Sequence, residues 1–516
     1  MSFCQLFNTT ARRFPDKVAL KDCDEEITYY QLANMSRKLG SFLLNKGFQK
    51  GDRVAILFEN SVQYVVSYLG ILNSGLIAVP INTDNSKENI QYILADCSVK
   101  GVIGEEKFLK KYDVLHDSGQ KRFFLVYSQN ALSLEGCHDW NDVLNSQASQ
   151  TNQINELKIE ESDLACIVYT SGTTGNPKGV MLTHKNIVSN TCSIISYLHL
   201  SHNDSVLVVL PFYYSYGSSL LHTHLAVGGT LVLEKQFVYP NLALKKLSKE
   251  KVTGFAGVPS TYALLLNRSN FVKMDWPNLR YVTQAGGPMA PALIEKLSDS
   301  LPDTEIFVMY GQTEATARLS YLEPSLLKEK IGSVGKAIPG VKLGVIRENG
   351  TLVDPGEVGE IVAQGPNIMK GYWKNDEETK KVLRDGWLHT GDLARIDEDG
   401  FIYIVGRKTE MIKSGAHRIS PKEIEDVLLD FKNIVEAAVV GVPDDVLGER
   451  IVAFLVLDNG RILDSQKILR FCRRKLPSFK IPHEIKVVDS LPKTSSGKVK
   501  KFLLKEDPQF KSVGIS

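Results

Sequence analysis

Short unbroken apolar runs alternate with helix-spaced apolar residues through most of the chain. Residues 164–169 (LACIVY), 205–210 (SVLVVL), 230–233 (TLVL), 279–282 (LRYV) and 305–310 (EIFVMY) read as strands buried on both faces. The segment after His184 and the one containing PALIEKL carry helical patterns between them. Strand and helix alternating in this way predict an α/β architecture with mainly parallel sheets flanked by helices. One apolar stretch, residues 64–81, approaches membrane-span length, but Asn73, Ser74, Gly75 and Pro80 break it into a buried helix, a turn and a buried strand, so no transmembrane segment is expected.

The texture changes after about residue 335. VGKAIPGVKLGVI, GEIVAQG, GWLHTGDLARI and GFIYIVG are short and bounded by glycine, the pattern of a small antiparallel β unit. Ser420 and Glu423 then form a capping-box pair with Pro421 at the first helical position, and Ile424, Val427, Leu428 and Phe431 supply the apolar stripe of the helix they open. A second helix is expected over residues 463–475. The expected organisation is a large N-terminal domain, 1–406, that includes the β unit at about 335–406, and a small mobile α+β domain, 407–516, with the boundary near residues 406–409.

Composition narrows the class. A chain of 516 residues exceeds one hydrophobic core, and 43% hydrophobic with 23% charged residues is ordinary for a globular protein. A net charge of +2 gives no electrostatic footprint for nucleic acid, and Arg473, Arg474 and Lys475 read as the solvated end of a helix. The seven cysteines are scattered, with no CxxC spacing, as reduced thiols of a cytoplasmic protein would be. Neither a signal peptide nor a prenylation or peroxisomal signal is legible, and the expected location is cytoplasmic.

The chemistry starts at residues 169–180, YTSGTTGNPKGV. Glycines let the backbone turn and approach a ligand closely, Ser171, Thr173 and Thr174 supply hydroxyl donors, and Lys178 supplies a mobile positive charge. This is a polyphosphate cradle in chemical terms. It is not a Walker A loop, since Lys178 precedes Gly179 and no Ser or Thr follows it.

That stretch resembles the phosphate-loop signature of the adenylate-forming superfamily, which includes acyl- and aryl-CoA synthetases, adenylation domains of nonribosomal peptide synthetases and beetle luciferases. Four further segments resemble the family in the same order: YGQTEAT at 310–316, LHTGDLA at 388–394, GRKTEMIKSGAHRISPKEIE at 406–425 and LPKTSSGK at 491–498. The resemblance spans essentially the whole chain. It implies attack of a substrate carboxylate on the α-phosphate of ATP, departure of pyrophosphate, and displacement of AMP by a thiol to give a thioester. An anion must attack a polyanion, so catalysis is expected from charge neutralisation and positioning, with no protein nucleophile.

The resemblance assigns roles residue by residue. Thr170, Ser171, Gly172, Thr173, Thr174 and Gly175 with Lys178 would hold the β- and γ-phosphates. Tyr310 and Gly311 match the adenine-stacking position, Thr313 would touch the α-phosphate, and Glu314 would bind Mg²⁺. Asp392 matches the residue that accepts hydrogen bonds from the ribose hydroxyls, Arg407 would assist there and begin the hinge, and Arg418 resembles an arginine near the nucleotide phosphate. Lys498 would swing in to contact carboxylate and α-phosphate oxygens during adenylation. The hinge would fall on Thr409, where many relatives carry Asp or Lys. Rotation about it would bring residues 412–417 (IKSGAH) to the active site, with Gly415 and Ala416 small enough to pass a phosphopantetheine arm. Luciferase-like members carry lysine where Gly415 stands, which favours thioester synthesis over oxidation.

By the same resemblance the acyl pocket lies between residues 210–217 (LPFYYSYG) and 284–289 (QAGGPM). Tyr213, Tyr214 and Ser215 would form one wall, and Gly286 and Gly287 would leave space for a chain or ring, Gly287 also bordering the nucleotide. Tyr214 stands where a histidine or another aromatic is frequent. No aspartate occurs between Pro211 and Leu221, which disfavours a free amino acid. The expectation is a fatty or aryl acid, with ATP, Mg²⁺ and CoA. The alternatives are an acyl-AMP ligase loading a separate carrier protein and a nucleotide-binding protein without turnover.

Overall fold

The structure is a computed structural model that describes residues 1–23, 25–114, 122–129, 134, 136–145, 157–170, 176–235, 237, 239–415, 417–444, 446–458, 464–494 and 497–506. Two large sheets form its centre. The nine-stranded sheet runs in space Lys336–Ala337, Ser320–Leu322, Glu305–Tyr310, Tyr281–Gln284, Gly254–Gly257, Ser205–Val208, Thr230–Leu233, Val18–Asp22, Glu25–Thr28. Its inner pairs are parallel, and antiparallel strands close both edges. The eight-stranded sheet is parallel from Leu164–Thr170 across to His138–Asp139, with Lys178–Thr183 and Gly371–Tyr372 added antiparallel at the other edge.

The expected strands appear where the apolar runs lie, with one shift. The strand read at 279–282 forms two residues later, at Tyr281–Gln284, because Leu279 and Arg280 are drawn into a turn whose amides bond to Trp276 and Thr253 carbonyls. The stretch 64–81 resolves as the helix Val62–Asn73, a turn at Gly75 with φ +67°, and the strand Ile77–Pro80. Ser61 caps that helix, and its side chains are buried on nearly every face, as expected for a helix enclosed by sheet and helices. Among the described residues no helix is long and apolar enough to cross a membrane.

A five-stranded antiparallel sheet contains Lys342–Ile346, Val358–Gln364, Leu383–Arg384, Trp387–Ile396 and Ile402–Arg407. It is followed by a sheet built from Ile412–Ser414, His417–Ile419, Ile434–Asp444, Gly448–Leu457 and Glu484–Val487. The helices Pro421–Leu429 and Ser465–Lys475 pack on one face of the latter, with Ile424, Leu428, Ile468 and Cys472 in a shared core.

Only half of the expected capping box forms. Ser420 Oγ accepts from the Glu423 amide at 3.3 Å, but the Glu423 carboxylate is taken by Lys480 at 2.6 Å instead of returning to Ser420. A charge-assisted bond to an ammonium outcompetes a bond to a neutral amide. The basic end of the helix Ser465–Lys475 lies at the surface, where Lys475 pairs with Asp430 at 2.7 Å.

Candidate active site

The strand Glu305–Tyr310, flanked in the nine-stranded sheet by Tyr281–Gln284 and Ser320–Leu322, ends on Tyr310. At Gly311 the chain folds back so tightly that a Cβ would stand 2.0 Å from the Ala317 carbonyl oxygen, so only glycine fits. A single 3₁₀ turn, Thr313–Ala315, follows. Tyr310 donates its hydroxyl to Asp392 Oδ2 at 2.7 Å. Asp392 sits mid-strand in Trp387–Ile396, and its register partner in Ile402–Arg407 is Arg407, whose Nε donates to Oδ1 at 2.9 Å. Asp392 is 6% exposed. Each of its oxygens keeps a further lone pair for a ligand hydroxyl. The Asp392 carboxylate pushes the Arg407 guanidinium above its usual range, and burial, followed by the same carboxylate, raises the Tyr310 phenol.

Lys498 reaches this cluster from the far end of the chain. Thr494 and Lys498 bond each other twice: the Lys498 amide donates to Thr494 Oγ1 at 3.1 Å, and the Thr494 amide donates to the Lys498 carbonyl at 2.8 Å. The side chain passes along Gly286, where a Cβ would lie 3.8 Å from Lys498 Cε. The residue as a whole is exposed, while its ammonium is surrounded by protein groups, the environment of a cleft wall. That surrounding protein lowers its pKa, Arg407 adds to the effect, and Asp392, Glu314 and Glu410 oppose it. Lys498, Arg407, Asp392 and Glu314 therefore share one electrostatic environment although 184 positions separate Glu314 from Lys498 in the chain.

The segments 213–217 and 286–287, expected to line an acyl pocket, adjoin the same place. Gly217, in the first turn of the helix Ser215–Val227, lies against Pro211, whose carbonyl oxygen would be 2.0 Å from a Cβ. Tyr213 is buried and packs at 4.9 Å between ring centroids against Tyr214, whose hydroxyl accepts from Asn82 Nδ2 at 3.0 Å. Ser215 Oγ accepts from Thr313 Oγ1 at 3.3 Å, tying the segment 213–215 to the turn Thr313–Ala315. Gly286 has φ +84° and Val258 Cγ1 3.0 Å from its absent Cβ, so both conformation and space call for glycine. Gly287 is less constrained: a Cβ would meet only Pro259, at 3.6 Å, and its carbonyl accepts from Gln284 Nε2.

Thr170 and Lys178 are register partners at the ends of two antiparallel strands. Ser171, Gly172, Thr173, Thr174 and Gly175 lie outside the described residues, as does Ala416. The Lys178 ammonium pairs with Glu378 and stands 5.5 Å from the centre of the Tyr372 ring. Tyr372 in turn donates its hydroxyl to Glu314 Oε1 at 2.8 Å. Glu314 thus retains one carboxylate oxygen, the hard donor suited to Mg²⁺, an ion that takes few protein ligands when phosphates supply the rest.

Arg418 is not brought into this cluster. It pairs across the hairpin with Lys413 and lines a surface groove with Lys408 and Lys480, and among the described residues no bond joins it to Asp392, Arg407 or Lys498. Thr409 is exposed in the turn between Ile402–Arg407 and Ile412–Ser414. Sequence reasoning missed Asn82, Ser260, Tyr372 and Glu378, which reach the site only through tertiary contacts. Glu378 sits in DEETKKV, which reads as a solvated charged helix face, and nothing in that run separates it from its neighbours. Also missed is Arg318, 3% exposed and 4.1 Å above the Tyr216 ring.

Residues 7–373 match the AMP-binding enzyme family, and residues 423–498 match the AMP-binding enzyme C-terminal domain. The chain is 34% identical to the long-chain-fatty-acid–CoA ligase of Bacillus subtilis, over 98% of this chain and 94% of that protein. It is 33% identical to the mouse mitochondrial medium-chain acyl-CoA ligase ACSF2, over 97% and 86%. Among solved structures, the anthranilate CoA ligase AuaEII in complex with anthranoyl-AMP superposes with a TM-score of 0.88 at 27% identity, covering 98% of this chain and 96% of that one. The o-succinylbenzoate CoA synthetase MenE of Bacillus subtilis, in complex with the acyl-adenylate OSB-AMP, gives 0.84 at 29% identity over 97% and 98%. The same MenE is also known with ATP and a magnesium ion. With family matches over both parts of the chain and full-length likeness to CoA ligases, this protein belongs to the AMP-binding, adenylate-forming enzyme family as an acyl-CoA synthetase-like ligase.

Proposed function

We propose that the enzyme activates a fatty or aryl carboxylic acid with ATP to an acyl-adenylate and then transfers the acyl group to CoA, with the residues above as its site. The observation that carries this reading is the seating of Lys498 against Gly286, beside Arg407, Asp392 and Glu314. An ammonium between the acyl wall and the nucleotide cluster is where two approaching anions need a cation.

In this reading Asp392 and Arg407 fix the ribose, and Tyr310 and Gly311 border the adenine. Thr313 and Lys498 hold the α-phosphate and the incoming carboxylate in line. Lys178, with residues 170–175, holds the β- and γ-phosphates until pyrophosphate departs. Mg²⁺ on Glu314 would supply charge neutralisation at the phosphates. Positioning and fixed charge supply the remainder, and the carboxylate of the substrate is itself the nucleophile. Thioester formation then needs Lys498 withdrawn and residues 412–417 brought in, with residues 407–516 turning about Thr409 as one unit. The full-length likeness to fatty-acid and aryl-acid CoA ligases supports the substrate class and the acceptor.

A panel of fatty, aryl and amino acids with ATP and Mg²⁺, followed by pyrophosphate release with and without CoA, tests this. Acid-dependent pyrophosphate and AMP in step with a CoA thioester are expected for fatty or aryl acids. Pyrophosphate that does not turn over with CoA would assign the acyl group to a carrier protein instead. ADP as product would overturn the reaction class.

A further inference from the structure

The strand Gly371–Tyr372 and the helix Asp376–Val382 hold a carboxylate against the phosphate-loop lysine. Gly371–Tyr372 pairs antiparallel with Lys178–Thr183, and the Trp373 amide donates to the Gly179 carbonyl at 2.7 Å. The helix is tied to that strand by Thr379 Oγ1, which accepts from the Tyr372 amide at 2.9 Å. Asn375 caps the helix by accepting from the Glu378 amide at 3.1 Å. Glu378 is therefore fixed by backbone contacts opposite Lys178.

The two side chains are 27% and 26% exposed, so the pair is half-buried, and it lies over the Tyr372 ring. The other Glu378 oxygen takes Lys381. The Lys178 bond, first among the causes, holds the Glu378 carboxyl down to about 2. Through Tyr372 the same segment also occupies one oxygen of Glu314. The cation and the carboxylate that a metal–polyphosphate would use are each engaged by this one short segment.

We infer that Glu378 is a positioning residue that competes with the phosphates of ATP and pyrophosphate for Lys178, yielding the lysine as nucleotide enters and reclaiming it as pyrophosphate leaves. This rests on the reading of Lys178 as the phosphate cation. A carboxylate and a phosphate at one ammonium repel each other, so the fixed carboxylate weakens anion binding and speeds its release. A purely structural Glu378 would instead affect thermal stability and leave anion affinity unchanged or weaker.

Calorimetric titration with inorganic pyrophosphate, alongside ATP steady-state kinetics, separates these roles. Glu378→Gln, nearly isosteric, is expected to bind pyrophosphate at least fivefold more tightly and to lower KM for ATP. Its kcat should fall as product release becomes limiting. Glu378→Ala should behave alike, providing a second variant if one folds poorly. Lys178→Met should weaken pyrophosphate binding at least tenfold, and adding Glu378→Gln to it should tighten binding by less than the fivefold gained with Lys178 present. Unchanged or weaker pyrophosphate binding in both Glu378 variants, with Lys178→Met weakened, would overturn the competition alone. Unchanged binding in Lys178→Met would overturn the assignment of Lys178 itself.

Discussion

Ser260 donates its hydroxyl to the carbonyl of Gly497 at 3.1 Å, clasping the turn that precedes Lys498 to the start of the helix Pro259–Arg268. Gly497 has φ +81°, and a Cβ there would stand 2.6 Å from Ser260 Oγ and 2.8 Å from Val258 Cγ2. Two unrelated constraints, conformation and close approach, thus meet at one residue.

Gly497→Val should therefore unseat the Lys498 turn while leaving the core of the small sheet intact. We expect acyl-adenylate formation to fall at least a hundredfold, thioester formation from supplied acyl-AMP to stay within threefold, and the melting temperature to change little. Two half-reaction assays and a thermal melt check this; equal loss of both half-reactions would count against the seating.

Thr409→Pro is the converse test. Thr409 sits in an exposed turn, so proline is compatible with the folded surface, but it restricts φ and hinders rotation. Adenylation should persist and thioester formation should drop, as measured with the same two assays. Loss of adenylation instead would place the hinge elsewhere.

The sequence made the five motif segments and most buried strands readable, because glycine spacing and unbroken apolar runs are local signals. The burial of Asp392 was legible too, since alternation in Trp387–Ile396 turns it inward, with Arg407 as its register partner. The role of Glu378 was illegible because it depends on which strand the segment 371–372 joins, a contact spanning about 190 residues. The same holds for Ser260, an unremarkable helix-start serine until Gly497 arrives 237 residues later. Arg418 lies in an equally clear motif, and in this arrangement of the chain its strand places it on a surface groove, apart from Asp392, Arg407 and Lys498.

Acid should destabilise the fold through three buried histidines. His184, His222 and His224 have their pKa lowered by burial to about 4, 3 and 4. His222 Nε2 bonds the Tyr68 hydroxyl at 2.8 Å, and His224 Nε2 bonds that of Tyr281 at 3.0 Å. Each is neutral when folded and protonated when unfolded between pH 4 and the ordinary value near 6.5, so the unfolded state binds more protons. Their stabilisation is complete above about pH 6.5 and is lost as pH falls towards 4, on the order of 2 kcal/mol each at pH 5. Denaturant unfolding at pH 7.5 and pH 5 should show this loss, and His222→Asn should reduce the pH dependence by about one histidine's share. An undiminished pH dependence would remove His222 from the account.

The central claim is that Lys498, seated between the acyl wall and the nucleotide cluster, serves adenylation and not thioester formation. The most direct measurement is the single-turnover rate of each half-reaction in wild type and Lys498→Ala, with one accepted acid and its synthetic acyl-AMP. The account predicts at least a thousandfold loss of acyl-AMP formation with thioester formation from acyl-AMP within a few fold of wild type. Equal loss of both, or retention of adenylation, would contradict it.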